Sequence, residues 1–193
     1  MTYLPTHWVV GLDLESSSRG ALLFTDWLAR NASSGQRPRF TVVHVVDEDQ
    51  FMDRLRFESR EELVEKRHAE AVELLDRLGV SDTLGAPRMV AGWKTEDELE
   101  EELSHTAAEG LVVGRRAESG GFHLVHLGKV ARHLLHRIPA PVMIVPPDLR
   151  ATAIGSGPLL VHEDQPAETE SACRTALELG EVLGRQVELV RLI

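Results

Sequence analysis

The chain predicts an α/β fold, a parallel sheet covered by helices on both faces. Three observations carry this expectation. Short apolar runs alternate with longer amphipathic segments across residues 8–147, the pattern of successive β-α-β crossovers. One run, Phe40–Val46, is rich in β-branched residues and fits a strand buried on both faces. The amphipathic segments start at capping residues and stop at glycine or proline, so boundaries are marked locally.

The first strand is expected at Trp8–Asp13. Ser16, Ser17 and Ser18 offer N-caps for a helix to about residue 32, with Ala21, Phe24 and Leu28 on one face. The second strand is Phe40–Val46. After an acidic loop or short helix over 47–58, Ser59 and Glu62 form a capping box. The helix they open turns Leu63, Arg67, Ala71, Leu74 and Leu78 to one side and stops at Gly79. Arg88–Ala91 reads as a short third strand. Thr95 with Glu98 makes a second capping box, opening an acidic helix to about Ala108. Leu111–Val113 is the fourth strand and ends at Gly114. Arg115, Arg116, Gly120 and Gly121 lie in the loop that follows. Gly128 then marks a helix over about 127–137, and Val142–Val145 is the fifth strand.

That glycine-bounded loop is the first candidate site. Glycine lets backbone N–H groups approach a ligand closely, and a helix N-terminus favours anions. In open parallel sheets, ligands sit beyond the carboxyl ends of the strands where the strand order reverses. Asp13, Val46 and Gly114 all fall at such ends, so the pattern points to a nucleotide-type site at a strand-to-helix turn.

Composition narrows the partners. With 42% hydrophobic and 27% charged residues, the chain can build a soluble core. No apolar run approaches the roughly 20 residues that span a bilayer, and the N-terminus has no signal-peptide pattern. The formal charge of −10 argues against nucleic acid and anionic membrane, although backbone dipoles can still hold an anionic ligand on an acidic protein. The single cysteine, Cys173, excludes an internal disulfide framework and suits a reducing cytoplasm.

The stretch from Gly114 resembles the signature of the universal stress protein family. There a Gly-x2-Gly-x9-Gly-[Ser/Thr] loop follows the fourth strand, and a helix leads to a Pro-x-Pro-Val-x-x-Val-Pro strand. Gly114 matches the first glycine and Gly128 the third, and the register continues through Pro139, Pro141, Val142, Val145 and Pro146. Two positions depart: Ala117 replaces the second glycine, with one extra residue before Gly128, and Lys129 replaces the Ser/Thr. Near the start, Asp13, Ser18, Ala21 and Leu22 match, Glu15 replaces a serine, and His44–Val45 matches the His-Val of the second strand.

The resemblance covers about residues 7–147. It implies five strands in the order 3-2-1-4-5, the adenine nucleotide alpha hydrolase-like arrangement. It also implies a cytoplasmic stress-response module, typically dimeric, that binds ATP or another adenine nucleotide, with slow hydrolysis ascribed to some members. Carried onto this chain, Asp13 and Val45 would face the base and ribose, and Gly114, Arg115, Gly128 and Lys129 the phosphates. No metal is implied beyond nucleotide-associated Mg, and no catalytic residue stands out. The alternative from another class is a protein-interaction or dimerisation module whose nucleotide site is degenerate.

Residues 158–193 repeat the start of the chain. Leu160–Asp164 matches Val9–Asp13, Thr169 matches Ser18 and Ala172 matches Ala21. Strand, helix and strand are expected at Leu159–Glu163, Thr169–Leu183 and Val187–Ile193. The domains are therefore 1–149 and a partial second repeat, 150–193, joined by the small-residue linker 151–157. A β-α-β fragment of this size cannot bury a core alone. With the fifth strand left as a sheet edge, the expectation is a homodimer with 158–193 in or near the interface.

Other polar clusters have plainer readings. His123, His126, His133 and His136 form two H-x-x-H pairs that could in principle hold zinc, but a solvated histidine face fits better. The acids of Glu96–Glu102 complement a helix macrodipole and otherwise form a solvated face. Cys173 is expected as a small apolar filler.

Overall fold

The computed structural model describes residues 5–33, 35, 37–48, 52, 58–115, 128–162 and 166–190. Most of the expected acidic loop over 47–58 lies outside these residues, as do Arg116, Ala117, Gly120, Gly121, His123 and His126.

Strand β1 (His7–Leu12) leads to helix α1 (Ser16–Asn31), β2 (Arg39–Asp47), α2 (Arg60–Leu78), a short α3 (Ser81–Leu84) and β3 (Arg88–Gly92). Helix α4 (Thr95–His105), β4 (Gly110–Gly114), α5 (Lys129–Arg137) and β5 (Val142–Val145) complete the main unit. The sheet has five strands in the order β3-β2-β1-β4-β5, and every pairing is parallel. The chain winds outward from β1 through β2 to β3, then crosses to β4 and winds the other way. The strand order thus reverses between β1 and β4, leaving a crevice above their carboxyl ends.

Alternation along the strands feeds two apolar layers. Trp8, Val10 and Leu12 of β1 join Ala21, Leu22, Ala71 and Leu75 beneath α1 and α2. Val9 joins Val43, Leu99, Leu103, Leu111 and Leu134 beneath α4 and α5. Trp8 is fully buried and its indole N–H donates to the Pro5 carbonyl at 2.8 Å, so its polar edge is satisfied.

Helix α2 carries the expected signals. Ser59 and Glu62 form a reciprocal capping box, and Gly79 stops the helix in the left-handed conformation at φ 69°. The other two caps form differently. Glu15, not a serine, occupies the N-cap of α1 and makes no side-chain cap, because Ser17 and Ser18 bond to Asp13 instead. Lys94 is the N-cap of α4. Thr95 turns its hydroxyl toward Asp47 at 3.4 Å, and the Glu98 side chain lies over Gly92, in the space a Cβ there would take. The α4 acids are also not uniformly solvated. Glu96 and Glu102 are buried, and each has a cationic partner, Lys129 at 3.2 Å and Arg88 at 2.8 Å.

A second, two-stranded parallel sheet follows. It comprises β6 (Leu159–His162) and β7 (Val187–Val190), connected by α6 (Pro166–Leu183). It touches the end of α1. The Ser33 N–H and hydroxyl both donate to the Val182 carbonyl, and the Arg185 guanidinium lies 5.2 Å from the Trp27 ring centre. Leu160, Leu177 and Leu189 remain exposed. No described helix is long and apolar enough to cross a membrane.

The tightest approach between layers sets a test. A Cβ on Gly20 of α1 would lie 1.8 Å from the Pro146 carbonyl oxygen, just after β5. That neighbour is backbone and cannot swing aside. Gly20→Ala is therefore expected to lower unfolding free energy by about 1–3 kcal/mol despite alanine's better helix propensity, measured by urea denaturation. An unchanged or raised midpoint would contradict the packing described.

Candidate functional site

The crevice at the reversal point opens into a cavity of about 620 Å³, a size that suits a small ligand. Its walls come from the ends of β1, β2 and β4, the starts of α1, α4 and α5, and Arg67 of α2. Five of the six residues singled out in the sequence, Asp13, Val45, Gly114, Gly128 and Lys129, line it. Arg115 does not, and its N–H donates to the Val145 carbonyl at 2.8 Å, extending the β4–β5 ladder.

Asp13 sits one residue beyond β1 and organises the turn into α1. Its Oδ1 accepts from the Glu15 N–H at 2.8 Å and from the Ser18 hydroxyl, and its Oδ2 accepts from the Ser17 hydroxyl. The Glu15 bond closes an Asx turn. Leu14, between them, is held at φ 61°, a conformation that costs a non-glycine residue of order 1 kcal/mol and persists because the carboxylate pins both sides. A carboxylate offers about four acceptor positions, so Asp13 keeps capacity for a ligand donor beside the three bonds it makes.

Gly114 has a packing reason. A Cβ there would fall 2.2 Å from the Ser17 carbonyl oxygen, so glycine is what lets the first turn of α1 approach β4. Gly128 is the N-cap of α5 and provides no side-chain cap. The first-turn N–H groups of Lys129, Val130 and Ala131, all cavity residues, thus have no intrahelical acceptor and suit an anionic or polar ligand group.

His44 has a larger part than its place in the His-Val pair suggests. Nδ1 lies 2.8 Å from the Leu12 carbonyl, which can only accept, so Nδ1 carries the proton. Nε2 is buried and has no hydrogen-bond partner among the described residues. It presents an acceptor lone pair at a residue that lines the cavity. Burial, aided by the Arg67 charge, holds the imidazole below its ordinary 6.5 against the opposing Leu12 bond, which keeps it neutral near pH 7.

Lys129 and Glu96 also carry no sequence signal as a pair, being 33 positions apart by their numbering. The Lys129 side chain is 82% exposed and that of Glu96 only 7%. Burial raises the Glu96 pKa, but its backbone hydrogen bond and Lys129 outweigh that, and the net shift is downward. At the other end of α5, Arg137 bonds Asp97 at 3.1 Å and Glu100 at 3.3 Å, still in the first turns of α4. These contacts tie both ends of α5 to the start of α4. The spacing of Ser17 and Ser18 from Asp13, four and five residues across a strand-to-helix turn, was the one readable signal for that cluster.

No group of three or more His, Cys, Asp or Glu among the described residues is placed to hold a metal. His133 instead lies 2.9 Å from Arg137.

Comparison with known proteins agrees with this fold. A family model described as the universal stress protein family matches residues 6–146. No curated protein matches. Among solved structures, a universal stress protein from Archaeoglobus fulgidus DSM 4304 superposes with a TM-score of 0.64 at 17% identity, over 98% of this chain and 68% of that one. The universal stress protein UspA of Lactobacillus plantarum gives a TM-score of 0.52 at 16% identity, over 74% and 99% of the two chains. A universal stress protein in complex with cAMP gives 0.50 at 20% identity, over 76% and 100%. At these identities the structural likeness shows the fold.

The buried imidazoles generate a pH test. His7, at the other end of β1, is likewise lowered, first by burial and then by Arg39. The unfolded chain takes up these protons near pH 6.5, whereas the native state resists them. Stability is therefore full above about pH 6.5 and falls as pH drops through that value. The urea midpoint should be flat from about pH 8 to 7 and fall toward pH 5.5, and His44→Gln should flatten that fall. An identical profile in the variant would show that His44 does not contribute.

Proposed function

The chain belongs to the universal stress protein family, and on that premise we propose that its switch-point cavity binds an adenine nucleotide as part of a cytoplasmic stress-response module. The observation that carries the reading is the convergence of Asp13, Val45, Gly128 and Lys129 on one cavity, with the first-turn N–H groups of α5, which have no intrahelical acceptor, on its wall. The base and ribose lie against Asp13 and Val45, and the phosphate end points to the start of α5. A solved relative of this fold in complex with cAMP supports adenine chemistry.

Calorimetry on the purified protein tests the placement. Gly128→Asp puts a carboxylate where the anionic end of the ligand sits, and adenine nucleotide affinity should fall by at least about tenfold. Unchanged affinity would refute the placement. An absorbance excess near 260 nm in freshly purified protein, with the nucleotide identified by mass spectrometry, would give independent support.

Assembly completes the proposal. Among the described residues β5 pairs with β4 alone, so its outer edge has backbone groups to satisfy. The exposed Leu160, Leu177 and Leu189 lie in the unit built from 158–193. A second copy of the chain covers the β5 edge, with that unit in or near the interface. The match to the longer Archaeoglobus protein takes in nearly all of this chain, which supports residues 150–193 as the beginning of a second repeat. Light scattering should report a dimer, weakened by truncation after Pro147. A concentration-independent monomer would defeat this part.

A further inference from the structure

The residue that departs most from the family signature also has the most informative partner. Lys129 stands at the first position of α5, where a hydroxyl is expected, and its ammonium lies 3.2 Å from Glu96 Oε1. Glu96 belongs to the first turn of α4, where the helix macrodipole and its own backbone N–H favour the ionised form. Its carboxylate is buried in the cavity wall. The Lys129 cation is therefore already neutralised before any ligand arrives.

The same wall carries Asp13, Glu15 and Asp47, while Arg67 and Lys129 are its only Lys or Arg among the described residues. Arg67 itself is bonded to Glu70 at 2.6 Å. A second feature of the cavity points to a ligand that donates hydrogen bonds. His44 is a lining residue whose Nε2 is buried with no hydrogen-bond partner among the described residues, an acceptor whose chemistry matches a hydroxyl or amino donor rather than an ionised phosphate oxygen. Both features favour the neutral, donor-bearing part of a nucleotide and disfavour a large anionic tail.

We infer that the Glu96–Lys129 pair makes this cavity a site for nucleosides and nucleoside monophosphates and sets it against triphosphates. The inference rests on the adenine nucleotide reading and adds the chemical class within it. Glu96 is its specificity-determining residue: it withdraws the lysine from the phosphate subsite and places a fixed negative charge there. One phosphate can be met by the N–H groups of the α5 first turn. Each further phosphate adds negative charge near a carboxylate that stays ionised.

Calorimetry with adenosine, AMP and ATP in EDTA buffer tests this on three proteins: wild type, Glu96→Gln and Lys129→Gln. The glutamine at 96 keeps shape and releases the lysine, whereas that at 129 leaves Glu96 unopposed. ATP affinity should rise about tenfold or more in Glu96→Gln and fall by a similar factor in Lys129→Gln, from the size of one charge–charge contact near a protein surface. Matching urea midpoints report that each variant is folded, and the ratio of ATP to adenosine affinity is the quantity compared across the three. In the wild type, AMP should bind more tightly than ATP. Adenosine binding with equal ATP affinities across the three proteins would overturn the inference and leave the nucleotide reading standing. Wild-type protein that binds none of the three ligands would overturn both.

Discussion

The approach of α1 to β4 is the constraint on which the site depends. The first turn of α1 comes so close to the end of β4 that a single methyl group at Gly114 would collide with the Ser17 carbonyl. That contact places the α1 N-terminus directly over the point where the strand order reverses. The Asp13 carboxylate makes the approach possible by holding Ser17, Ser18 and the Glu15 N–H together, and it supports the left-handed Leu14 that the tight turn requires. The cavity is what remains on the other side: the ends of β1 and β2 form its floor, and α4 and α5 close it.

The charged contacts between α4 and α5 work differently. Ion pairs with exposed members are weak evidence for stability, because solvent screening and side-chain entropy offset much of the attraction. Their effect here is positional. Lys129 meets Glu96, and Arg137 meets Asp97 and Glu100, so both ends of α5 are tied to the first turns of α4. The apolar contacts beneath, through Leu99, Leu103, Ala131 and Leu134, are non-directional and tolerate sliding. The Lys129–Glu96 contact joins the first turns of the two helices at the cavity wall.

Much of the architecture was legible in the sequence because its signals are local. Strand periodicity, the Ser59–Glu62 box and the Gly79 stop each need only a few neighbouring residues, and each appears where it was expected. The strand order 3-2-1-4-5 followed from resemblance alone, since periodicity cannot order strands. The errors have tertiary causes. Thr95 and Glu98 match a capping box, yet Thr95 turns its hydroxyl toward Asp47 of β2 and Glu98 lies against Gly92 of β3. The acids of α4 look like a solvated face until α5 and Arg88 arrive to bury two of them. The unsatisfied nitrogen of His44 was invisible for the same reason: the Leu12 carbonyl that sets its tautomer comes from another strand.

The signature positions divide by what requires them. Gly114 is required by the backbone of Ser17, with or without a ligand, so a glycine there says that the fold is present and nothing about what it binds. Position 129 is the opposite case. Its side chain is 82% exposed and lies on the first turn of α5, where many residues would serve the helix equally well. The fold places little demand on that residue, so the cavity is the natural place to look for the consequence of its identity. Lysine brings a charge that a hydroxyl does not, and Glu96 is positioned to cancel it. A signature match that weights both positions equally thus combines a statement about packing with one about chemistry, and in this chain only the second departs from the family pattern.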